Sequence, residues 1–289
     1  SEMCIRDRVI HHPITMDLKH ELATNKNLIY RFSRHRWYSF LRMQKKVAPL
    51  LKNILTPSHN SKKDIIKDFK VKPENISVIH NAVDSSIFRP YPNIKNSPHR
   101  LITTASADVP LKGLDFSLYA LSELSNEFQD IELLVIGAPK EGGHTERLIK
   151  KLNLNKRVTF KTGITKDQIA QEYAKSSVAI VSSLYEGFGY PVAEAMSCSI
   201  PLVATDIASI PEITDNFATL IPPKNSDAIS DSVRKIFLEP DLYNEIAAKG
   251  RIHIQNKFNW QTIGMQYEAL MNKVIKNHKP IIKGNNANF

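Results

Sequence analysis

The sequence predicts an α/β fold, with a parallel, Rossmann-like sheet over residues 100–257 and a smaller α/β unit before it. Three observations carry this expectation. From residue 101 onward, short near-continuous apolar runs alternate with helical stretches, the pattern of parallel strands covered on both faces. Residues 89–98 hold three prolines and few large apolar side chains, which reads as an interdomain linker at 91–99. Hydrophobic residues make up 42% of the 289, enough to give one complete domain and part of another their own cores.

The elements follow in chain order. The opening Ser1-Glu2-Met3-Cys4-Ile5-Arg6-Asp7-Arg8 resembles a translated sequencing adaptor, so 1–8 is set aside as a non-native leader. A genomic clone continuing these codons upstream in frame would overturn that. A short strand at 8–12 ends in His11-His12-Pro13. A helix is expected over 28–51, with Phe32, Trp37, Phe40, Leu41, Val47 and Leu51 at mixed helical spacing. A strand at 53–57 precedes a helix through 62–66, capped by Ser58 or Ser61. The strand 76–80 closes the partial domain, 9–90. In the larger unit, strands are expected at 101–104, 131–137, 157–160, 178–182, 201–205 and 218–221. Helices are expected at 114–128, 146–152, 167–174, 191–197 and from Asp227, then at 242–254 and 260–274. The segment 258–276 is expected to pack back towards the first domain, and the polar tail 277–289 to be disordered. Right-handed crossovers make such a sheet Rossmann-like, with its ligand beyond the carboxyl ends of the strands.

Charge and cysteines narrow the function classes. The net charge of +10 suits an anionic partner, whether nucleic acid, a phosphorylated small molecule or an acidic membrane. Basic residues crowd the first third at Arg31, Arg34, Arg36, Arg42, Lys45, Lys46 and Lys52, either as a solvated helix face or as a surface for anionic lipid. No zinc spacing or aromatic-basic platform supports nucleic acid, so no nucleic-acid partner is expected. Gly137 and Gly142-Gly143 miss the dinucleotide-binding spacing, which argues against a dehydrogenase. Cys4 and Cys198 make no disulfide framework, and no apolar run spans a bilayer. The expected location is cytoplasmic.

The sharpest signal runs from Ser183 to Met196. A strand ends, a loop carries Glu186, Gly187, Phe188 and Gly189, and Pro191 sits where a helix begins. The glycines admit a ligand close to the backbone, and the free N–H groups at a helix start favour an anion such as diphosphate. Glu186 and Glu194 can both face one ligand, and carboxylates accept hydrogen bonds from sugar hydroxyls. By itself such a glutamate pair reads as two solvated carboxylates; the surrounding block makes it specific.

That block resembles the Glu-x7-Glu motif of the retaining GT-B glycosyltransferases of family 4, as do Ser197 to Asp206 and Ile210-Pro211-Glu212. The resemblance follows element order over nearly all of 9–275 and is strongest over 183–213. It implies a GT-B type fold, with a complete C-terminal Rossmann-like domain and a partial N-terminal one whose first strands precede Val9. It implies that Glu186 contacts the donor sugar and Glu194 the ribose. The backbone of Gly187, Phe188 and Gly189 would line the sugar and phosphate site, with Val192 near diphosphate or ribose. Val109 to Gly113 resembles the family's phosphate loop, in which Lys112 would neutralise the leaving diphosphate. Here Ser106-Ala107-Asp108 stand where the family usually carries an arginine, so either Lys112 acts alone, another cation supplies the charge or activity is reduced, and Arg100 lies too early in its strand to nominate. Lys161 to Thr165 resembles the base-reading loop, with Gly163 and Ile164 against the nucleobase. Val9 to Pro13 resembles the strand end that brings a histidine to the cleft, His11 with His12 as alternative. Ser58 and Asn81-Ala82-Val83-Asp84 resemble junction signatures of structural role, and Phe258-Asn259-Trp260 the start of the last helix.

The implied activity is a retaining, metal-independent hexosyl transfer from a nucleoside-diphosphate sugar, with UDP or GDP as leading nucleotides and no cofactor. The implied acceptor is a glycan, a lipid-linked glycan or a small molecule. Contact with the inner face of the cytoplasmic membrane stays open for 31–52. The rival reading is a nucleotide-sugar-binding module without turnover.

Overall fold

The structure is a computed structural model that describes residues 7–24, 27–105 and 108–277. The leader residues 1–6, the tail residues 278–289 and the Ser106-Ala107 pair lie outside the described residues.

Two parallel sheets organise the chain. The smaller has three strands in the order β1 (Asp7–Val9), β2 (Asn53–Thr56), β3 (Ile76–Val78). β1 begins at Asp7, so the last two residues of the segment set aside as a leader pair in register with Asn53 and Ile54. Between β1 and β2 lie α1 (Thr15–Thr24), α2 (Leu28–Trp37) and α3 (Phe40–Val47), and α4 (His59–Phe69) joins β2 to β3. Ile54, Ile65, Phe69, Val71 and Ile76 form the core of this unit.

The single helix expected over 28–51 is divided, and α1 has no counterpart in the expectation. The division falls at Tyr38. Tyr38 leaves helical geometry at φ −84°, ψ 15°, and its N–H returns to the carbonyls of Arg34 and Arg36. This turns its buried ring towards α1, where its hydroxyl donates to Glu21 Oε1 at 3.0 Å. Burial, reinforced by that acceptor, pushes the phenol up to about 12. β3 also ends two residues early, because Thr56, opposite Val78, is the last residue of β2: Ile79 N–H still donates to the Thr56 carbonyl, and beyond it there is no paired strand.

The larger sheet runs β6 (Val158–Lys161), β5 (Glu132–Ile136), β4 (Arg100–Thr104), β7 (Val178–Val181), β8 (Leu202–Thr205), β9 (Thr219–Ile221). Its helices are α5 (Leu114–Leu124), α6 (His144–Lys151), α7 (Lys166–Ala174), α8 (Tyr190–Ser197), α9 (Ile210–Thr214), α10 (Ser226–Leu238) and α11 (Pro240–Lys257). Adjacent strand residues feed opposite cores, which is why these strands read as continuously apolar. Leu101, Leu133, Ile180 and Val203 face one cluster with Leu118, Leu121 and Val233. Ile102, Leu134, Val181 and Ala204 face the other with Ala193, Met196 and Ile254.

Strand order reverses between β4 and β7: β4 leads outward to β5 and β6, and β7 leads the other way to β8 and β9. The loops after β4 and β7 therefore diverge over a crevice at the carboxyl edge, where open α/β sheets bind ligands. Finally α12 (Trp260–Asn277) returns to the smaller unit, with Ile263 buried against Leu55, Ile79 and Ala82.

Candidate active site

The two loops at the strand-order reversal are tied together by backbone. Gly113 ends the short turn Pro110–Lys112 at φ 61°, and a Cβ there would lie 2.0 Å from the Ser182 carbonyl oxygen. Only glycine allows that approach. Leu184 N–H donates to the Leu111 carbonyl at 2.7 Å, and the Ser182 hydroxyl donates to the Gly113 carbonyl at 2.9 Å. The consequence is an ion pair between residues far apart in sequence: Lys112 Nζ donates to Glu186 Oε1 at 2.7 Å. The Ser183 hydroxyl donates to the same oxygen at 2.7 Å. The Glu186 side chain is 10% exposed, and that of Lys112 is 28% exposed, so the lysine keeps an open side. An ammonium has three donors, and the carboxylate takes one.

The loop between β7 and α8 presents its backbone. Gly189 caps α8 at φ 101°, with Pro191 in the first turn where a missing N–H costs nothing. The Ser209 hydroxyl bridges the carbonyls of Glu186 at 2.9 Å and Phe188 at 2.7 Å. Among the described residues, the N–H groups of Gly187, Phe188 and Gly189 have no protein acceptor. Loop N–H groups and a helix start together form an anion-binding concavity.

Glu194 lies in the second turn of α8, partly buried, with no hydrogen-bond partner among the described residues. Burial pushes its carboxyl from 4.5 up to about 7, against the opposing pull of Lys166. Lys166 is the first residue of α7, directly after the Gly163-Ile164 loop at the end of β6. Gly163 is at φ 68° and exposed, and Ile164 packs beside the α8 core. The structure thus gives the two glutamates different surroundings, one ion-paired and one without a bonded partner.

Further sequence-predicted positions lie around this loop. Val192 is 0% exposed, and its N–H goes to the Gly189 carbonyl at 3.1 Å, so its side chain belongs to the core rather than to a ligand surface. The Phe188 ring is buried edge-on against His80 and Tyr190, which leaves only its backbone for a ligand. Of the two histidines, His12 is the one whose ring faces the loop. Its Nδ1 would lie 3.0 Å from a Cβ on Gly187, its Nε2 is 3.2 Å from Asp17 Oδ2, and its ring is 5.6 Å from that of Tyr185. The His11 side chain is exposed, and that residue approaches Gly187 through its carbonyl oxygen.

In the stretch Ser106-Ala107-Asp108, where the resemblance expects an arginine, Ser106 and Ala107 lie outside the described residues and the Asp108 carboxylate is taken up by backbone N–H groups. At φ 60° its carboxylate accepts N–H groups from Lys140 at 2.8 Å and Thr145 at 2.9 Å, the latter at the start of α6. Burial would raise this carboxyl, but those bonds outweigh it and hold it below the usual range. Arg100 is no substitute, because it pairs with Glu172 at 2.7 Å and Glu132 at 3.1 Å at the start of β4. Among the described residues, no group of His, Cys, Asp and Glu side chains could hold a metal ion. No helix among them is long and apolar enough to cross a membrane.

Sequence reading underrated the junction. Ser58 caps α4, accepting the Ser61 N–H at 3.0 Å, and its hydroxyl also reaches the Gly187 carbonyl at 2.8 Å. Glu212 accepts the N–H groups of His59 at 2.8 Å and Asn60 at 2.7 Å, so α9 of the larger unit seats the first turn of α4. Tyr185 donates to Asp64 at 2.7 Å. These contacts span more than a hundred positions, and no local pattern announces them.

Residues 89–253 match the family model described as glycosyl transferases group 1, and residues 8–87 match that of glycosyltransferase family 4. The MMP alpha-(1->4)-mannosyltransferase of Mycolicibacterium hassiacum is 35% identical over 274 residues, covering 92% of this chain and 64% of the relative. The O-antigen chain mannosyltransferase RfbU of Salmonella typhimurium is 27% identical, over 66% of this chain and 52% of its own length. The chain thus spans about half to two-thirds of these relatives. Sucrose-phosphate synthase from Thermosynechococcus elongatus superposes with a TM-score of 0.76 at 19% identity, covering 94% of this chain and 68% of that one. Anabaena HepE, solved with UDP and glucose, superposes at 0.72 with 20% identity, over 81% and 67%. These likenesses show a GT-B fold built of Rossmann-like domains.

Proposed function

The chain belongs to the glycosyl transferases group 1, and on that premise we propose that it carries the donor half of a retaining glycosyltransferase acting on a nucleoside-diphosphate sugar. The observation that carries this reading is the Lys112–Glu186 pair, set beside a loop with unaccepted N–H groups and a helix start. Diphosphate would rest on the N–H groups of Gly187 to Gly189 and on the open side of Lys112. These donors would take up the charge that grows as the sugar–phosphate bond breaks. The acceptor hydroxyl would attack from the face the diphosphate leaves and pass its proton to that diphosphate, which retains configuration without an enzyme nucleophile. Glu186 would hold the sugar hydroxyls, Glu194 the ribose, and Gly163 with Ile164 the base. His12, oriented by Asp17, would face the sugar from the smaller domain. Lys112 and the loop supply the charge compensation a metal would otherwise give, so turnover is expected to survive EDTA. Two relatives are mannosyltransferases, which supports a mannosyl group as the first sugar to try, with UDP or GDP as nucleotide.

Calorimetric titration with UDP, GDP and ADP tests the donor site. One nucleotide should bind, and Lys112→Ala and Glu194→Ala should each weaken it about tenfold or more, the scale of a lost charged contact. A folded chain that binds none of the three would refute the reading.

The acceptor we propose is a glycan, free or lipid-linked, and α2 supports a contact with anionic lipid. None of the residues of α2 is buried, and Leu28, Ile29 and Phe32 are 81%, 82% and 73% exposed on the side away from the Arg34–Glu21 contact. Arg36 lies among these exposed apolar residues and Arg31 at one edge of them, where its guanidinium also donates to the Leu22 carbonyl, so cationic and apolar groups share the exposed side of α2. Vesicle sedimentation that does not respond to anionic lipid content would remove this part of the proposal.

A further inference from the structure

Three successive carbonyls of the loop at 186–188 are held by hydroxyls, and the hydroxyls come from two domains. Ser209, of the larger domain, takes those of Glu186 and Phe188. The middle one, of Gly187, accepts from Ser58 Oγ at 2.8 Å and Ser61 Oγ at 3.1 Å, both on the smaller domain. Both serines are 0% exposed. A buried helical serine ordinarily bonds a carbonyl of its own preceding turn, but the Ser61 hydroxyl donates to a carbonyl 126 positions away. On its other side Gly187 meets His11 and His12, so close that a Cβ would come within 3.0 Å of His12 Nδ1. The Gly187 peptide is thus gripped between the β1–α1 loop and the first turn of α4.

A trans peptide points its C=O and the following N–H in opposite directions. With the Gly187 carbonyl fixed on the two serines, the N–H of Phe188 is turned away from α4. With the Glu186 and Phe188 carbonyls fixed on Ser209, the N–H groups of Gly187 and Gly189 are turned away from that hydroxyl. The orientation of the anion-binding backbone is therefore set partly by the other domain. Glu212 completes the tie by accepting the first two N–H groups of α4.

We propose that Ser58 and Ser61 are positioning residues of the donor site, which aim the Phe188 N–H at the diphosphate and thereby couple nucleotide binding to the seating of α4. This rests on the donor-site reading above. Coupling is reciprocal: if seated α4 tightens the nucleotide, bound nucleotide must tighten α4. A purely structural pair of buried serines would show no such link.

The test uses the chain itself, titrated with UDP, GDP and ADP, together with hydrogen exchange of the α4 amides with and without saturating nucleotide. Ser61→Ala leaves the Ser58 cap in place and removes one of two bonds to the Gly187 carbonyl. It should weaken binding about three- to tenfold, with the thermal midpoint of the free protein little changed. Ser58→Thr, which keeps both hydroxyl and cap, should bind like the parent. Nucleotide should slow exchange in α4 of the parent, and this protection should shrink in Ser61→Ala even at saturation. A parent that binds no nucleotide would overturn the donor site and this proposal with it. A parent that binds, with Ser61→Ala equal in affinity and in α4 protection, would overturn the positioning role alone.

Discussion

Relative to the parent, Glu194→Gln should gain stability as pH rises from mild acid through neutrality. In the folded chain burial lifts the Glu194 carboxyl from 4.5 to about 7, only partly countered by Lys166. The folded state therefore holds this proton more tightly than the unfolded chain does. Its contribution to stability is fully present below the unfolded value, declines as pH rises from 4.5, and is lost above about 7. A shift of that size is worth about 3 kcal/mol, on the scale of 1.4 kcal/mol per pKa unit. Glutamine never ionises, so the variant escapes the decline. Its amide donors also need partners in a partly buried place, which offsets some of the gain at every pH. The decisive quantity is therefore the difference between variant and parent as a function of pH. Urea unfolding at pH 5, 6, 7 and 8 should show that difference growing by about 2–3 kcal/mol from the lowest to the highest pH. A constant difference would refute the argument, because it would mean that the carboxyl titrates at the same pH folded and unfolded. The same substitution should weaken nucleotide binding, so the ionised residue would be kept for its ligand at a cost in stability.

Other substitutions follow from equally local geometry. Gly113→Ala places a Cβ 2.0 Å from the Ser182 carbonyl in a positive-φ turn, so the two loops must separate. A loss of about 1–3 kcal/mol in urea stability is expected, with nucleotide binding reduced as Lys112 leaves Glu186. Equal affinity in that variant would show that the loop contact does not position the lysine. Glu212→Gln leaves one acceptor oxygen, and no charge, for the N–H groups of His59 and Asn60. It should lower stability by about 1–2 kcal/mol, and a double-mutant cycle with Ser58→Ala should reveal coupling across the domain junction.

What could be read along the chain was whatever depends on neighbours in sequence. The alternation of apolar runs with helices revealed the larger sheet, because strands covered on both faces are apolar at every position, as with Leu101 and Ile102. The Glu186–Gly189 loop, the Pro191 helix start and a serine cap at Ser58 or Ser61 were legible for the same reason, since turns and caps are local chemistry, and the structure selects Ser58. The break at Tyr38 was not legible, because nothing in 28–51 signals an acceptor on α1. Nor was the burial of Val192, whose position relative to a ligand depends on which face of α8 meets the sheet.

The sequence by itself therefore determined the fold class, the strand–loop–helix unit proposed to bind the anion and the residue types able to do so. Only the tertiary structure decided their partners. It joined Lys112 to Glu186 through a glycine that lets two loops touch, and it chose His12 rather than His11 to face Gly187. It also brought Ser58, Ser61 and Glu212 across the junction. The physical reason is range: propensities and caps act over a few residues. Hydrogen bonds between distant segments form only where the packing of two cores happens to align them.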